Sequence, residues 1–334
     1  MTTVDQEVGG APMGMELSEL GQLALEAAQR GRDVITAAQR EGGYAVRTKS
    51  SHRDLVTDVD TAAERAVTDF LRQHRPHDAI LGEEGGQQEG SGNVRWIVDP
   101  IDGTANFAHG RADFAVAVAA EVDGVPAASS IIRPVTGMWI ACDETGTIVS
   151  GQGTPSVSAT DELSAALVSV SVSISEERRP LTLSTLIRLI PEVQDFRRTG
   201  STSCDLFDIA TGALDAYVGI GTKPWDIAAG WAAVQAAGGR CLEFPVADGQ
   251  TAYVLGTPGV AERAAALVEE HAAVFTATQN HARQREAGRP VVAAKAATSR
   301  STTAAGGHRE APPTIAPGAR PQTGFEAPRK GPRR

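Results

Sequence analysis

Cysteine and long apolar runs are what this 334-residue sequence has least of. Its three cysteines, Cys142, Cys204 and Cys241, are odd in number and widely spaced, and no two of them form a CxxC pair. A disulfide framework is therefore excluded, and buried or incidental thiols are expected. No apolar run approaches the ~20 residues of a membrane span, and the N-terminus, Met1–Met15, lacks the basic region and apolar core of a secretion signal. These absences predict a cytoplasmic protein that does not enter a membrane.

Positive charge is scarce in the body of the chain and concentrated at its end. Residues 280–334 contain 11 Lys and Arg against 3 Glu, a net charge of +8, so that residues 1–279 carry −18 and the whole chain −10. The acidic body argues against nucleic-acid binding by the folded part. The end is rich in Ala, Pro, Gly, Ser and Thr and cannot bury enough apolar surface to fold, so we predict a disordered basic tail over 280–334. That tail is either a solvated extension or a contact for an acidic partner or nucleic acid.

One short segment places two carboxylates at the end of an apolar strand. Trp96–Val98 is apolar and partly β-branched, which indicates a buried strand, and Pro100 is expected to end its ladder because proline has no N–H to donate. Asp99 and Asp102 stand at this break, and hard oxygen ligands of this kind suit Mg²⁺. Gly103-Thr104 follows, where backbone N–H groups attract anions and glycine lets a phosphate come close. The alternative is an ordinary turn that these residues cap.

Two further segments carry a carboxylate at the end of an apolar element. Ala79–Gly85 (AILGEEG) reads as a short strand that ends in Glu83 and Glu84, and Pro224–Gly230 (PWDIAAG) puts Asp226 in the first turn of an Ala-rich helix. Carboxylates at the ends of apolar elements are unfavourable unless a cation compensates them. The three segments together predict a metal cluster.

Helix and strand signals alternate along the chain, which predicts a mixed α/β architecture. Apolar residues at helical spacing predict helices over Glu16–Arg40 and Asp60–Arg75, and Phe114–Val149 contains strand candidates separated by turn residues, as in a meander. We expect a flexible segment over residues 1–14 and a folded region over 15–279, with halves of about 15–155 and 156–279. The second half should contain strands at Ala166–Ile174, Asp215–Ile220, Arg240–Phe244 and Ala252–Leu255, and helices at Ser203–Thr211, Pro224–Ala237 and Val260–His271.

Four motifs make the resemblance to a known family specific. GEE at Gly82–Glu84, DPIDGT at Asp99–Thr104, PWDIAAG at Pro224–Gly230 and the DLVT segment of Lys49–Asp60 resemble, in order and spacing, the signatures of the inositol monophosphatase family, over residues 15–275. The resemblance implies magnesium-dependent, lithium-sensitive hydrolysis of small phosphate monoesters. It also implies a layered αβαβα architecture, with the metals held between two α/β halves, and a homodimer.

The same resemblance implies a ligand set for two Mg²⁺ ions. Glu83, Asp99 and the Ile101 carbonyl would hold the first ion, and Asp99 would bridge to the second, which Asp102 and Asp226 complete. A third ion is implied near Glu83, held through water.

Water activation is implied in the same way. Thr104 and Asp60 would act together with Glu83 to activate the attacking water, a threonine hydroxyl orienting it and an aspartate accepting its proton. Lys49 is either a residue that holds the waters of a third ion or a solvated charge, and Glu84 is expected to be structural.

The phosphate and the alcohol part of the substrate would lie on neighbouring residues. The N–H groups of Gly103 and Thr104 would bind the phosphate, and Asp102, Ser201 and Thr202 would contact the alcohol part.

One position departs from the family pattern. Counting back from Trp225-Asp226 places Gly219 where inositol-hydrolysing members have a glutamate, and glycine has no side chain to accept a hydrogen bond from a hydroxyl. The expected substrate is myo-inositol 1-phosphate. Histidinol phosphate, fructose 1,6-bisphosphate and nucleotide 3′-phosphates are the alternatives.

Other classes of phosphate-handling enzyme lack their motifs here. The sequence has no Cx(5)R loop and no G-x(4)-GK[ST] loop, and no histidine stands in an RHG context. A different kind of function stays open, a binding or regulatory protein that keeps the fold and uses the basic tail to bind RNA or another partner. The intact set of carboxylates favours the enzyme. Surface or structural roles are predicted for five histidines, His52, His74, His77, His109 and His271.

Overall fold

Two large β-sheets and a third sheet of only two strands organise the computed structural model, which describes residues 16–49 and 51–287. No helix among these residues has the length and apolar character that crossing a bilayer requires. The elements of the first half are α1 (Glu19–Glu41), β1 (Val46–Thr48), β2 (Leu55–Thr57), α2 (Asp58–His74), β3 (Ala79–Gly82), β4 (Gly86–Gln88), β5 (Val94–Asp102), α3 (Thr104–Ala108), β6 (Ala115–Val122), β7 (Val125–Arg133), β8 (Met138–Cys142) and β9 (Ile148–Ser150). Those of the second half are β10 (Leu167–Val170), α4 (Arg179–Leu189), β11 (Asp195–Arg197), α5 (Thr202–Ala210), β12 (Ala216–Ile220), α6 (Pro224–Ala236), β13 (Arg240–Pro245), β14 (Thr251–Gly256) and α7 (Pro258–Ala287).

The larger sheet has the strand order β4-β3-β5-β6-β7-β8-β9 and is antiparallel except between β3 and β5. Strands β6 to β9 follow one another as the predicted meander. The β6–β7 turn consists of Asp123 and Gly124, both with positive φ, as a two-residue turn requires if its twist is to match that of the strands. Because β3 and β5 run in parallel, their carboxyl ends lie at the same edge of the sheet, next to each other.

The sequence predicts that strand β5 ends at Pro100, and this prediction is wrong. The strand continues to Asp102, and its pairing with β6 shifts register between Asp99 and Asp102. Proline removes only one N–H donor from the ladder of hydrogen bonds. A local irregularity in the pairing of the two strands can accommodate this loss. Ile101 lies within the irregular stretch, is buried and helps to hold the last part of the strand on the core.

The smaller sheet has the order β11-β10-β12-β14-β13 and mixes parallel and antiparallel pairs. Helix α4 and strand β11 are absent from the sequence predictions, and β10 is shorter than the predicted strand. Leu183 and Ile187 of α4 are exposed although they are apolar, so the apolar residues do not mark one face of that helix. Tertiary packing therefore stabilises this helix, and the spacing of its apolar residues does not predict it.

The layers follow the predicted αβαβα order. Helices α1 and α2 cover one face of the larger sheet, α5 and α6 lie between its other face and the smaller sheet, and α4 and α7 cover the far side of the smaller sheet. The two helices of the central layer, α5 and α6, approach each other closely. Gly230 of α6 illustrates this, since a Cβ there would stand only 2.1 Å from a methyl carbon of Leu206 in α5.

The last described helix extends past the predicted end of the folded region. Helix α7 continues to Ala287, so residues 280–287, which the sequence assigns to the tail, are helical. Alanine and glutamine favour helix, and the tract is free of proline until Pro290. The rest of the predicted basic tail and the predicted flexible segment over residues 1–14 lie outside the described residues.

Candidate active site

Three carboxylates from two elements meet at one edge of the larger sheet. Asp99 and Asp102 come from the end of β5, and Asp226 lies in the first turn of α6. Each offers one oxygen such that the three oxygens lie within 4.8 Å of one another. Asp99 is 1% exposed and Asp102 is 8% exposed, whereas Asp226 is half-buried, and we call these three residues the aspartate triad.

The surroundings of the aspartate triad fit a cation. Burial, and then the charges of Glu83, Asp102 and Asp226, raise the pKa of Asp99 well above its usual value. Burial and the neighbouring carboxylates raise the pKa of Asp226 in the same way. Oδ1 of Asp99 is buried and has no hydrogen-bond partner in the part of the chain that the structure describes. Like charges held together with an unpartnered buried oxygen are the donor set that a hard divalent cation satisfies.

Asp102 is held from the central helix layer. Its Oδ2 accepts hydrogen bonds from the Ser201 hydroxyl at 3.1 Å and from the backbone N–H of Ser203. Burial raises the pKa of Asp102, while these hydrogen bonds act in the opposite direction. Ser201 is itself buried and also caps α5 by accepting a hydrogen bond from Cys204 N–H. The structure thus places Ser201 beneath the aspartate triad, whereas Thr202 is half-buried.

Glu83 and Glu84 lie beside the aspartate triad and share one cationic partner, Lys49. Lys49 Nζ lies 2.9 Å from Glu83 Oε1 and 2.5 Å from Glu84 Oε1. The pKa of Glu83 is raised to about 7, because burial and the charges of Glu84 and Asp60 outweigh the opposing hydrogen bond and charge of Lys49. Burial alone would lower the pKa of Lys49, but the two glutamates outweigh it and raise that pKa. Lys49 and Glu84 therefore belong to one ion-pair group with Glu83.

Glu64 supports this turn and is absent from the sequence predictions. Its carboxylate accepts hydrogen bonds from the backbone N–H groups of Glu84 at 2.8 Å and Gly85 at 2.6 Å. A Cβ on Gly82 would lie 2.6 Å from the same carboxylate, so glycine is required there. One signal is visible in the sequence, since Glu64 stands four residues after Asp60 on the buried face of α2, where a charge needs a partner.

Thr104 and Asp60 are connected as the motifs imply. The Thr104 hydroxyl lies 2.9 Å from Asp60 Oδ1 and 3.1 Å from the Ile101 carbonyl oxygen. The other oxygen of Asp60 accepts hydrogen bonds from the N–H and the hydroxyl of Thr57, which caps α2. Burial raises the pKa of Asp60, and these hydrogen bonds oppose the rise.

Gly103 joins β5 to α3 in a conformation that other residues rarely adopt. Its φ is +99°, and a Cβ there would lie 3.0 Å from the Asp113 carbonyl oxygen and 3.2 Å from Cβ of Ser201. The glycine therefore allows the chain to turn directly after Asp102. It places the N–H of Thr104 at the start of the short helix beside the aspartate triad.

Gly219 lies on β12, and its missing side chain has a structural reason. A Cβ at this position would lie 2.3 Å from the Tyr217 hydroxyl and 2.5 Å from the Thr222 hydroxyl. Tyr217 is 0% exposed and packs into the central layer. The space that a glutamate would occupy in the predicted family pattern is filled here by a tyrosine.

Comparison with known proteins gives a consistent family. The sequence profile described as the inositol monophosphatase family matches residues 16–301. The chain is 40% identical over 241 residues to an inositol-1-monophosphatase of Mycobacterium leprae, which covers 68% of this chain and 82% of that protein. It is 39% identical over 264 residues to inositol-1-monophosphatase SuhB of Mycobacterium tuberculosis H37Rv, with 74% and 91% covered. It is also 31% identical over 225 residues to a protein of Escherichia coli K12 named Nus factor SuhB, with 66% and 84% covered.

Solved structures show the same fold. The extragenic suppressor protein SuhB of Bartonella henselae superposes with a TM-score of 0.67 at 26% identity, covering 75% of this chain and 99% of that one. Mycobacterium tuberculosis SuhB superposes with a TM-score of 0.60 at 31% identity, covering 75% and 94%.

Proposed function

We propose that this chain catalyses the Mg²⁺-dependent hydrolysis of a small phosphate monoester, with myo-inositol 1-phosphate as the first candidate substrate. The chain belongs to the inositol monophosphatase family, a family of phosphatases. One observation carries the proposal. The oxygens of Asp99, Asp102 and Asp226 come within 4.8 Å of one another, and the buried Asp99 Oδ1 has no hydrogen-bond partner among the described residues. Hydrolysis of a phosphate monoester needs positive charge at such a place, because the substrate dianion repels an attacking oxygen.

The residues that would hold two Mg²⁺ are those of the motifs. Glu83, Asp99 and the Ile101 carbonyl would hold one ion, Asp99, Asp102 and Asp226 the other, and Glu83 would reach a third through water. When bound, the ions supply charge that stabilises the phosphoryl oxygens and acidify a water molecule. The ion pair between Glu83 and Lys49, whose Nζ also contacts Glu84, would have to loosen for Glu83 to bind an ion.

Thr104 and Asp60 would prepare the attacking water. The Thr104 oxygen accepts a hydrogen bond from the water while its proton points to Asp60 Oδ1, 2.9 Å away. Glu83 would accept a second hydrogen bond from the same water. A carboxylate whose pKa is raised by burial, as that of Asp60 is, takes up a proton more readily near neutral pH.

The substrate would lie across the start of two helices. The N–H groups of Gly103 and Thr104 at the start of α3 would bind the phosphate, as helix starts attract anions. Asp102 and Thr202 would contact the alcohol part. We keep Ser201 as a residue that acts through Asp102, because its hydroxyl donates to that carboxylate and is buried. The family resemblance further supports a homodimer in the cytoplasm, and light scattering of the purified protein tests the dimer.

Phosphate release from a panel of esters tests the reaction. The panel contains myo-inositol 1-phosphate, L-histidinol phosphate, fructose 1,6-bisphosphate and adenosine 3′,5′-bisphosphate, each with Mg²⁺, with EDTA and with added Li⁺. We expect one preferred ester, release that requires Mg²⁺, and inhibition by Li⁺. No release from any ester under any condition would overturn the proposal.

A second candidate function comes from one group of relatives. The Escherichia coli relative is named a Nus factor, and this name does not describe a phosphatase. We therefore keep a regulatory role as the alternative, with residues beyond 287 as the binding segment because they are basic. Retention of an RNA or protein partner by a catalytically inactive Asp99→Asn protein would favour this alternative.

A further inference from the structure

Asp205, in the first turn of α5, is a buried carboxylate to which the proposed reaction gives no role. It is 3% exposed, and no lysine or arginine among residues 16–49 and 51–287 forms an ion pair with it. A buried charge is unfavourable unless other groups stabilise it. Two hydroxyls do so here, since Thr199 donates to Oδ1 at 2.7 Å and Ser169 donates to Oδ2.

The two hydroxyl donors belong to segments of different kinds. Ser169 lies on β10 and is paired on both sides, with Arg197 of β11 and Tyr217 of β12. Thr199 lies between β11 and α5, outside the helices and strands. The sheet therefore holds Ser169 in place without Asp205, whereas the position of Thr199 depends on the contacts of its own segment.

Residues 199–201, which we call the 199–201 loop, are fixed by three sets of contacts. The Thr199 hydroxyl oxygen accepts a hydrogen bond from the Ser201 N–H at 3.1 Å while its proton points to Asp205. The Thr199 carbonyl accepts one from the side-chain amide of Asn106 in α3 at 3.0 Å. Gly200 has a φ of +94°, and a Cβ there would lie 3.1 Å from the same amide nitrogen. The loop is thus held between Asp205 and α3.

The 199–201 loop leads directly to the groups that hold Asp102. The Ser201 hydroxyl donates to this carboxylate at 3.1 Å, and the backbone N–H groups of Thr202 and Ser203 donate to it as well. Asp205 lies close to the same carboxylate, because the charge of Asp102 contributes, after burial, to raising the pKa of Asp205 to about 7. The position of the loop therefore determines how Asp102 is presented to the aspartate triad.

We propose that Asp205, through the Thr199 hydroxyl, positions the 199–201 loop and with it the donors that orient Asp102 toward a cation at the aspartate triad. The inference rests on the proposed function and adds a residue that controls its metal affinity. Asp205 acts through Thr199 and is therefore a positioning residue. Groups that orient a metal ligand from outside the ligand set change metal affinity or activity by about 10- to 100-fold when they are replaced.

Two variants that keep the charge of Asp205 test this route. Thr199→Val and Ser169→Ala each remove one hydroxyl from the same carboxylate, but only Thr199→Val releases the 199–201 loop. Replacing Asp205 alone would be ambiguous, because the loss of a negative charge near Asp102 weakens cation binding by itself. Calorimetric titration of the full chain with Mg²⁺, without substrate, measures the affinity. We expect Thr199→Val to weaken it by about tenfold and Ser169→Ala by less than about twofold.

A conservative variant and the dependence of the rate on Mg²⁺ separate positioning from general stability. Thr199→Ser keeps the hydroxyl and should bind Mg²⁺ as the wild type does. Thr199→Val should need about tenfold more Mg²⁺ for half-maximal hydrolysis of the preferred ester, with kcat at saturating Mg²⁺ within about threefold of the wild-type value. A purely structural role would lower the melting temperatures of Thr199→Val and Ser169→Ala and leave both Mg²⁺ affinities unchanged.

A double-mutant cycle connects the effect to Asp205. Asp205→Leu removes the charge and the hydrogen-bond acceptor, and the loss of charge cancels because both proteins compared in that background carry it. We expect Thr199→Val to weaken Mg²⁺ binding by less than about twofold in the Asp205→Leu background. A tenfold loss in both backgrounds would mean that Thr199 acts without Asp205, which overturns the inference. If Asp205→Leu does not fold, the comparison of Thr199→Val with Ser169→Ala decides.

The outcomes separate this inference from its premise. Wild-type Mg²⁺ affinity in Thr199→Val, or equal weakening in Thr199→Val and Ser169→Ala, overturns the inference and leaves the proposed function standing. A wild-type protein that neither binds Mg²⁺ nor hydrolyses any ester of the panel overturns the proposed function itself and the inference with it.

Discussion

The acidic residues of the site form two groups whose charges are balanced in different ways. Glu83 and Glu84 share Lys49, and the turn that carries them is held by Glu64 through backbone N–H groups. The aspartate triad has no ion-pair partner within residues 16–49 and 51–287, and Oδ1 of Asp99 accepts no hydrogen bond from these residues. The first group has a cationic partner within the described residues, whereas we propose that the second takes its cation from solution.

The largest expected effect comes from removing one member of the aspartate triad. We expect Asp99→Asn to lower kcat by about a thousandfold, since charge stabilisation by metal ions contributes several kcal/mol. Mg²⁺ should raise the melting temperature of the wild type and not that of the variant. Asp195→Asn, which changes an exposed carboxylate paired with Arg197, is the matched control and should keep the wild-type rate. Undiminished activity of Asp99→Asn would contradict the metal assignment.

Substitution of Thr104 tests whether its hydroxyl helps to activate the attacking water. Thr104→Val keeps the shape of the side chain but loses the hydroxyl that lies 2.9 Å from Asp60. We expect kcat to fall by about a hundredfold, in the range found for general acid–base groups. Thr104→Ser, which keeps the hydroxyl, should recover most of the rate. Equal rates in the valine and serine variants would rule out a role for this hydroxyl.

Metal-free protein should lose stability as the pH rises. Burial raises the pKa of Glu83 from 4.5 to about 7, and those of Asp99 and Asp226 rise as well. A carboxyl with a higher pKa in the folded state binds its proton more tightly there, so its stabilising effect is full below pH 4.5 and is lost as the pH rises through 7. We expect the free energy of unfolding in EDTA to fall by on the order of 2 kcal/mol between pH 5 and pH 8. Denaturant titrations at both pH values measure the fall, and saturating Mg²⁺ should remove it.

Substitution of Lys49 tests the glutamate group, which already contains a cationic partner. Lys49→Gln removes the cation that opposes the high pKa of Glu83, so Glu83 should stay protonated to a higher pH. We expect kcat/KM at pH 7 to fall by about tenfold and to recover toward pH 8.5. Lys49→Arg keeps the charge and should follow the wild-type profile. A pH profile of Lys49→Gln parallel to that of the wild type would show that the ion pair has no part in the reaction.

The smallest effect is expected at the basic end of the chain. Truncation after Ala287, where α7 ends, removes most of the positive charge of the predicted tail. If the charges of the site are balanced locally, kcat/KM should stay within about twofold of the full-length value. A large loss would mean that residues beyond 287 supply charge to the site, and RNA binding measured on the same pair of proteins would test the regulatory alternative.

Most of the architecture could be predicted from local signals. The meander of β6 to β9 and the helices α1, α2, α5 and α6 follow from periodicity and turn residues, because each signal lies within a few neighbouring residues. Helix α4, strand β11 and the continuation of β5 past Pro100 could not be predicted, since long-range packing decides them. The family resemblance supplied the order of the layers, which no local pattern contains.

The sequence by itself determined which carboxylates this protein has and that they follow apolar elements, because motifs of a few residues encode both. Only the tertiary structure decided how those carboxylates are balanced. Lys49 reaches Glu83 from 34 residues away, and Ser201 reaches Asp102 from 99 residues away. The same holds for Gly219, which reads as a missing ligand in the sequence and is, in the fold, the space that the Tyr217 hydroxyl needs. Contacts between residues so far apart depend on how the layers pack, and no local pattern specifies that packing.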